Sequence, residues 1–76
     1  VEYLKDKAFI IEFGKNLRKI RKSKDFTQQD LANDIDVEIS QISRIERGII
    51  NTSISTANSL AKALNIKVSE LFIFEN

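Results

Sequence analysis

The stretch from Thr27 to Glu46, TQQDLANDIDVEISQISRIE, constrains the fold of this chain most. It holds two short runs of helical periodicity separated by a break that leaves room only for a sharp turn. Thr27 suits an N-cap, and Asp30 three residues later puts negative charge into the positive first turn of the helix that follows. Leu31, Ala32 and Ile35 then mark one apolar face, with Ala32 small enough to let a second helix approach. Asp36 tolerates the left-handed conformation better than most non-glycine residues, so it serves as the pivot. Beyond it, Ile42 and Ile45 define the inward side of a second helix that ends at Gly48, a residue suited to a left-handed C-terminal cap.

At about 100° per residue, Ser40, Arg44 and Arg47 lie opposite the inward pair Ile42 and Ile45, with Ser43 at the edge and Ile39 projecting from the first turn. That outward face is short, polar and cationic with one aliphatic residue, a chemistry suited to base edges, phosphates and a thymine methyl. Glu46 falls near the buried boundary and requires a partner.

Taken with SLAKALNIKVSELF further on, the segments TQQDLA and SQISRIERG resemble the lambda-repressor-like (Cro-type) helix-turn-helix family of bacterial and phage regulators. The resemblance runs from about Phe13 to Phe72, with Gln28, Leu31, Ala32, Ile42, Ile45, Glu46 and Gly48 in register. It implies an all-α, compact five-helix domain, usually dimeric, with the helix-turn-helix over 27–47 and the third helix entering the major groove of double-stranded DNA. Within the family the pattern is closest to small stand-alone repressors and to controller proteins of restriction–modification systems. Ile39, Ser40 and Arg44 are the expected base contacts. The Arg44 guanidinium suits guanine O6 and N7, a contact worth about 1–3 kcal/mol in discrimination; the plainer alternative is a phosphate contact or an intrahelical ion pair. Thr27, Gln28, Ser43, Arg47, Asn51, Thr52 and Ser53 are the expected phosphate contacts, with capping or loop solvation as the alternative; the resemblance implies that Gln28 also braces the recognition helix. The N–H groups of Thr27 and Gln28 at a helix N-terminus offer a phosphate seat. Arg21 and Glu46 match a pair that forms a partly buried salt bridge in related repressors. Glu38 is expected to cap the third helix.

The composition narrows the function classes. Seventy-six residues without proline, low-complexity tract or repeat are expected to form a single domain over 1–76, whose small core would gain from a partner subunit. There is no cysteine and no histidine. With Tyr3 the one tyrosine and no glycine-rich phosphate loop, no nucleophile–base or metal-ligand constellation is visible; an enzyme, a metal and a cofactor are not expected. No apolar run reaches membrane-spanning length, and a cytoplasmic location is expected. The net charge of +1 hides an asymmetry, because residues 1–24 carry eight Lys/Arg against three acids and residues 25–76 carry four against eight. Between Lys15 and Lys24 stand six cations and no acid. They read as a mixture of solvated helix face and electrostatic attraction for phosphate.

Ile10, Phe13, Leu17 and Ile20 predict a first helix from about Phe9 to Lys24. Residues 1–9 are open to extending it, forming an arm or staying flexible. Ser53 is the expected cap of a fourth helix with Ile54, Ala57, Leu60, Ala61 and Leu64 inward. Val68, Leu71 and Phe72 suggest a short fifth helix, with Lys67 where the family often has a capping Ser. Asp25, Asp36 and Asn65 stand where the family commonly carries glycine at helix ends. Ile73, Phe74 and Ile50 are the candidates for a dimer contact. The function expected is a dimeric repressor reading a near-palindromic operator, with RNA polymerase as a further partner if it also activates. The alternative is an antitoxin-type module that binds a toxin protein and regulates itself through DNA.

Overall fold

The structure, a computed structural model, describes residues 6–74 of the chain. Among them are four α-helices, α1 (Lys7–Ser23), α2 (Gln28–Ile35), α3 (Ile39–Glu46) and α4 (Ile54–Ala63), followed by a 3₁₀ helix at Val68–Phe72, and no strand. The fifth element is thus 3₁₀ rather than α. The α1 helix begins two residues before the expected start because Asp6 caps it, its carboxylate accepting from the Phe9 N–H at 3.1 Å. Apolar spacing is blind to a polar first turn. Of the proposed arm, residues 7–9 are helical and residue 6 is the cap, while residues 1–5, Tyr3 included, lie outside the described residues.

All four α-helices stop in the same way. Asp25, Asp36, Gly48 and Asn65 have φ of 60°, 59°, 71° and 57°. In each case the N–H of the following residue reaches back to a carbonyl five positions earlier: Phe26 to Arg21, Val37 to Ala32, Ile49 to Arg44 and Ile66 to Ala61, at 3.0–3.2 Å. This is the Schellman arrangement, which normally adds an apolar contact from that following residue. Phe26, Val37 and Ile66 make the contact, packing against the core. Ile49 does not and is 59% exposed.

The core gathers Phe13 and Leu17 from α1, Leu31 and Ala32 from α2, Ile42 and Ile45 from α3, Ala57, Leu60, Ala61 and Leu64 from the α4 region, and Leu71. Each large aliphatic buried here contributes about 1.5–3 kcal/mol relative to exposure. Ile54 departs from the expected inward stripe and is 89% exposed. Its azimuth is that of Ala61, yet Ile54 only borders a small apolar cavity lined also by Phe9, Ile10, Phe13, Ala57 and Phe72. Periodicity gives a direction; it does not say whether anything stands there to be packed against.

Two close approaches fix α1 relative to the rest. Gly14 faces the last carbonyls of α3, where an added Cβ would run into the Ile45 carbonyl oxygen and stand 2.6 Å from that of Glu46. Asn16, two residues on, donates from Nδ2 to the Glu70 and Leu71 carbonyls at 3.0 and 2.8 Å, stitching the 3₁₀ helix to α1. Lys67 precedes that helix; its N–H donates to the Glu70 carboxylate at 2.8 Å. An ammonium cannot return the bond, so only half of a capping box is made.

Candidate nucleic-acid interface

The α3 helix presents two faces of opposite character. Ile42, Ile45 and Glu46 are buried, while Ile39, Ser40, Arg44 and Arg47 are exposed and Ser43 lies between. The three expected base-contact residues therefore share one solvent-facing strip. Arg47 continues it and is folded back, its Nε donating to the Ser43 carbonyl at 3.3 Å and the Ser43 hydroxyl at 3.1 Å. Glu38 occupies the N-cap position but its carboxylate makes no capping bond, so its effect on α3 is through charge alone.

What holds α3 at its angle is a buried polar network. Arg21 of α1 meets Glu46 in two parallel bonds, Nε to Oε2 at 2.6 Å and Nη2 to Oε1 at 3.1 Å. Arg21 Nη1 also donates to the Phe26 carbonyl at 2.7 Å, and Gln28 Nε2 donates to Glu46 Oε1 at 3.0 Å. Both charged residues are less than a tenth exposed. A buried charge is tolerated when paired and hydrogen-bonded, as here. Residues from α1, α2 and α3 converge on one carboxylate, which fixes all three helices together.

At the start of α2 the Thr27 hydroxyl accepts from the Asp30 N–H and the Asp30 carboxylate accepts from the Thr27 N–H, both at 2.9 Å. Hydrogen bonding to the carboxylate from the Thr27 backbone foremost, and from the Thr27 side chain, holds the Asp30 carboxyl below its ordinary value of 3.8. The capping box therefore occupies the Thr27 N–H that would have seated a phosphate, and it places an ionised carboxylate beside it. In the free chain, then, Thr27 takes the capping role that stood as its alternative. Ser53 is likewise a cap, its Oγ accepting from the Thr56 N–H at 3.0 Å. Asn51 is exposed and Thr52 half-buried in the loop between α3 and α4.

Of the dimer candidates, Ile50 and Phe74 are half-buried against the chain's own core. The Phe74 ring lies 5.2 Å from that of Phe9, and Phe13 and Phe72 are 5.0 Å apart. Ile73 is 66% exposed. Among the described residues, no group of three or more His, Cys, Asp or Glu is placed to hold a metal ion.

Two short helices, a left-handed residue between them and a polar outer strip braced from behind make up a helix-turn-helix, and the model of the HTH_3 helix-turn-helix family matches residues 17–71. The chain belongs to this Cro/lambda-repressor-type family. The HTH_3 match covers α2, α3, α4 and the last part of α1, from Leu17 on. Control protein C.MunI of a Mycoplasma species is 40% identical over 63 residues, covering 82% of this chain and 85% of that protein. The crystal structure of the restriction–modification controller protein C.AhdI from Aeromonas hydrophila superposes with a TM-score of 0.84 at 37% identity, over 86% of this chain and 98% of that one. A second controller protein, solved as a tetramer in complex with its natural 35 base-pair operator, aligns with a TM-score of 0.77 at 30% identity over 84% of either chain. Among the described residues, no helix is long and apolar enough to cross a membrane.

Gly14 and Asn16 did not stand out in the sequence as functional, whereas the bond from Gln28 to α3 is the bracing role that the family resemblance implied. A glycine inside an otherwise amphipathic helix was the available signal, since such a residue costs about 1 kcal/mol against Ala and so implies a packing reason. Nothing in the pattern pointed to Asn16.

Proposed function

We propose that this protein is a sequence-specific DNA-binding transcriptional regulator of the restriction–modification controller kind. It works in the cytoplasm as a homodimer that sets two α3 helices into successive major grooves of a near-palindromic operator, about 34–36 Å apart. The observation that carries this reading is the strip Ile39, Ser40 and Arg44, exposed on a helix whose back is locked by Arg21, Glu46 and Gln28. A readout helix must be rigid, because a bidentate contact from Arg44 discriminates only when the guanidinium is held in the plane of the base pair. The operator complex of a related controller supports the DNA partner, and the small core supports dimerisation. Regulation then follows from where the operator lies, with repression by occluding a promoter.

The test is selection of bound duplexes from a random pool, followed by titration of single-base variants of the selected site. Arg44→Ala is expected to flatten discrimination at one base position per half-site by about 1–3 kcal/mol. An unchanged base preference would remove Arg44 from readout, and failure to enrich any duplex would overturn the function.

A further inference from the structure

Beside the readout strip, α1 and α3 enclose an open cleft lined by Arg18, Arg21, Gln28, Ser43, Glu46 and Arg47. We propose that this cleft seats a single backbone phosphate of the operator, with Arg18 of α1, outside the helix-turn-helix, forming its cationic wall. The inference rests on the DNA-binding reading and names a positioning residue that reading did not contain.

The charge and donor inventory of the cleft points to an anion. Its lining carries three arginines and one glutamate. The glutamate is already engaged: both Glu46 oxygens accept from Arg21, and one also accepts from Gln28. Arg21 has turned its remaining Nη1 to the Phe26 carbonyl. Of the lining side-chain groups left without a partner, Gln28 Oε1 can only accept and the rest are donors. Those donors are the exposed Arg18 guanidinium, which makes no ion pair among the described residues; the two Nη groups of Arg47, whose Nε alone is held by Ser43; the Ser43 hydroxyl proton; and the second Nε2–H of Gln28. Two guanidinium groups flanking a donor-rich cleft match a phosphate in charge and in fork geometry.

Location selects the source of that phosphate. Ser43 and Arg47 border Arg44 on α3, so an anion in the cleft lies immediately beside the strip that faces the bases. A phosphate gripped from α1 and α3 together fixes how far α3 enters the groove, and contacts of this kind set register without reading sequence. Arg18 lies on α1 and Arg47 caps α3, two helices that meet at Gly14 and through the Arg21–Glu46 network, so the phosphate would also clamp that junction.

The measurement is equilibrium binding of the full chain to its selected duplex over a range of salt concentrations, for wild type, Arg18→Gln, Arg18→Lys and Arg47→Gln. Arg18→Gln is expected to weaken binding several-fold on every sequence alike and to reduce the magnitude of the logarithmic salt slope by about 0.9 for each half-site, about 1.8 for the dimer on its full duplex. Arg18→Lys should keep the slope, and the ranking of operator variants should not move. Neutral methylphosphonates introduced one position at a time then locate the contact. At one phosphate per half-site, both Arg18→Gln and Arg47→Gln should lose their effect. A salt slope unchanged by Arg18→Gln, or the two variants responding to different phosphates, overturns the shared seat while leaving DNA binding intact. Failure of the wild type to bind any duplex overturns the parent reading instead. Equal protection by free inorganic phosphate and by DNA, seen as the same rise in Tm, would show a general anion site and also overturn the proposal.

Discussion

Gly14 and Asp36 illustrate opposite demands on a single backbone position. At Gly14 the φ is ordinary and the demand is space: a methyl there would push α1 off the carbonyl end of α3, which holds Glu46. Gly14→Ala is expected to destabilise by about 1–3 kcal/mol despite the better helix propensity of alanine, because overpacking outweighs a propensity gain of at most about 1 kcal/mol. A urea titration checks the sign, and a more stable variant would mean that the two helices can move apart freely. At Asp36 the demand is conformational, since φ is 59° with no glycine present. A left-handed non-glycine residue costs about 1–2 kcal/mol, partly recovered by the greater freedom glycine has in the unfolded chain. Asp36→Gly is therefore expected to raise Tm by a few degrees with operator specificity unchanged. A lowered Tm would show that the aspartate makes a contribution beyond its backbone angle.

Between elements, the balance of forces rests on the contact of α1, α2 and α3 at Glu46. Glu46→Ala leaves the Arg21 guanidinium buried without its counter-charge and is expected to cost about 3–5 kcal/mol, a large part of the 5–15 kcal/mol typical of whole domains. Replacing both partners, Arg21→Met with Glu46→Leu, removes the unpaired charge and should recover most of that stability. It should not recover tight operator binding, because the bond from Gln28 to α3 is lost as well. Full recovery of binding by the double variant would show that the network serves folding alone. The α2 cap adds a pH dependence of defined sign. Asp30 is held below 3.8 in the fold by Thr27; the bonded cap thus stabilises the fold above the ordinary carboxylate value, and that contribution is lost as pH falls through the lower folded value. Thermal melts from neutral pH into the acid range should show a smaller acid-side decline for Asp30→Asn than for wild type. The elements themselves were legible in the sequence wherever an apolar stripe met a cap residue, as at Thr27, Leu31, Ala32 and Asp36 or at Ile42, Ile45 and Gly48. Starts such as Asp6, and the α1–α3 contact at Gly14, were not, because they depend on polar or backbone atoms that hydrophobic spacing does not register. Of the candidate site, the outward strip of α3 followed from angle alone. The fate of Thr27 did not, since sequence cannot say whether an N-terminal N–H faces a ligand or is already taken by Asp30.

The apolar side chains left over by the fold bear on assembly. Ile54 at 89% exposure, Ile73 at 66% and Ile49 at 59% stand out, with Phe9 and Phe72 lining the cavity that Ile54 borders. Of the expected dimer contacts Ile50, Phe74 and Ile73, the first two are half-buried against their own chain, which leaves Ile73, with Ile54, as the exposed candidates. The proposed homodimer must cover such surface, since a chain of 76 residues has little core to spare and exposed aliphatics gain most from burial at an interface. Ile54→Lys and Ile73→Lys place a charge at positions whose side chains do little for the monomer, so both variants should keep near-wild-type helicity. At least one is expected to shift the sedimenting species from dimer to monomer and to weaken operator binding strongly, because two half-sites are then no longer engaged by one linked particle. The loss should be much greater on the full operator than on an isolated half-site. If both variants remain dimeric, the subunits meet through another surface; if wild type sediments as a monomer and binds a single half-site with full affinity, the dimeric reading of the operator is wrong.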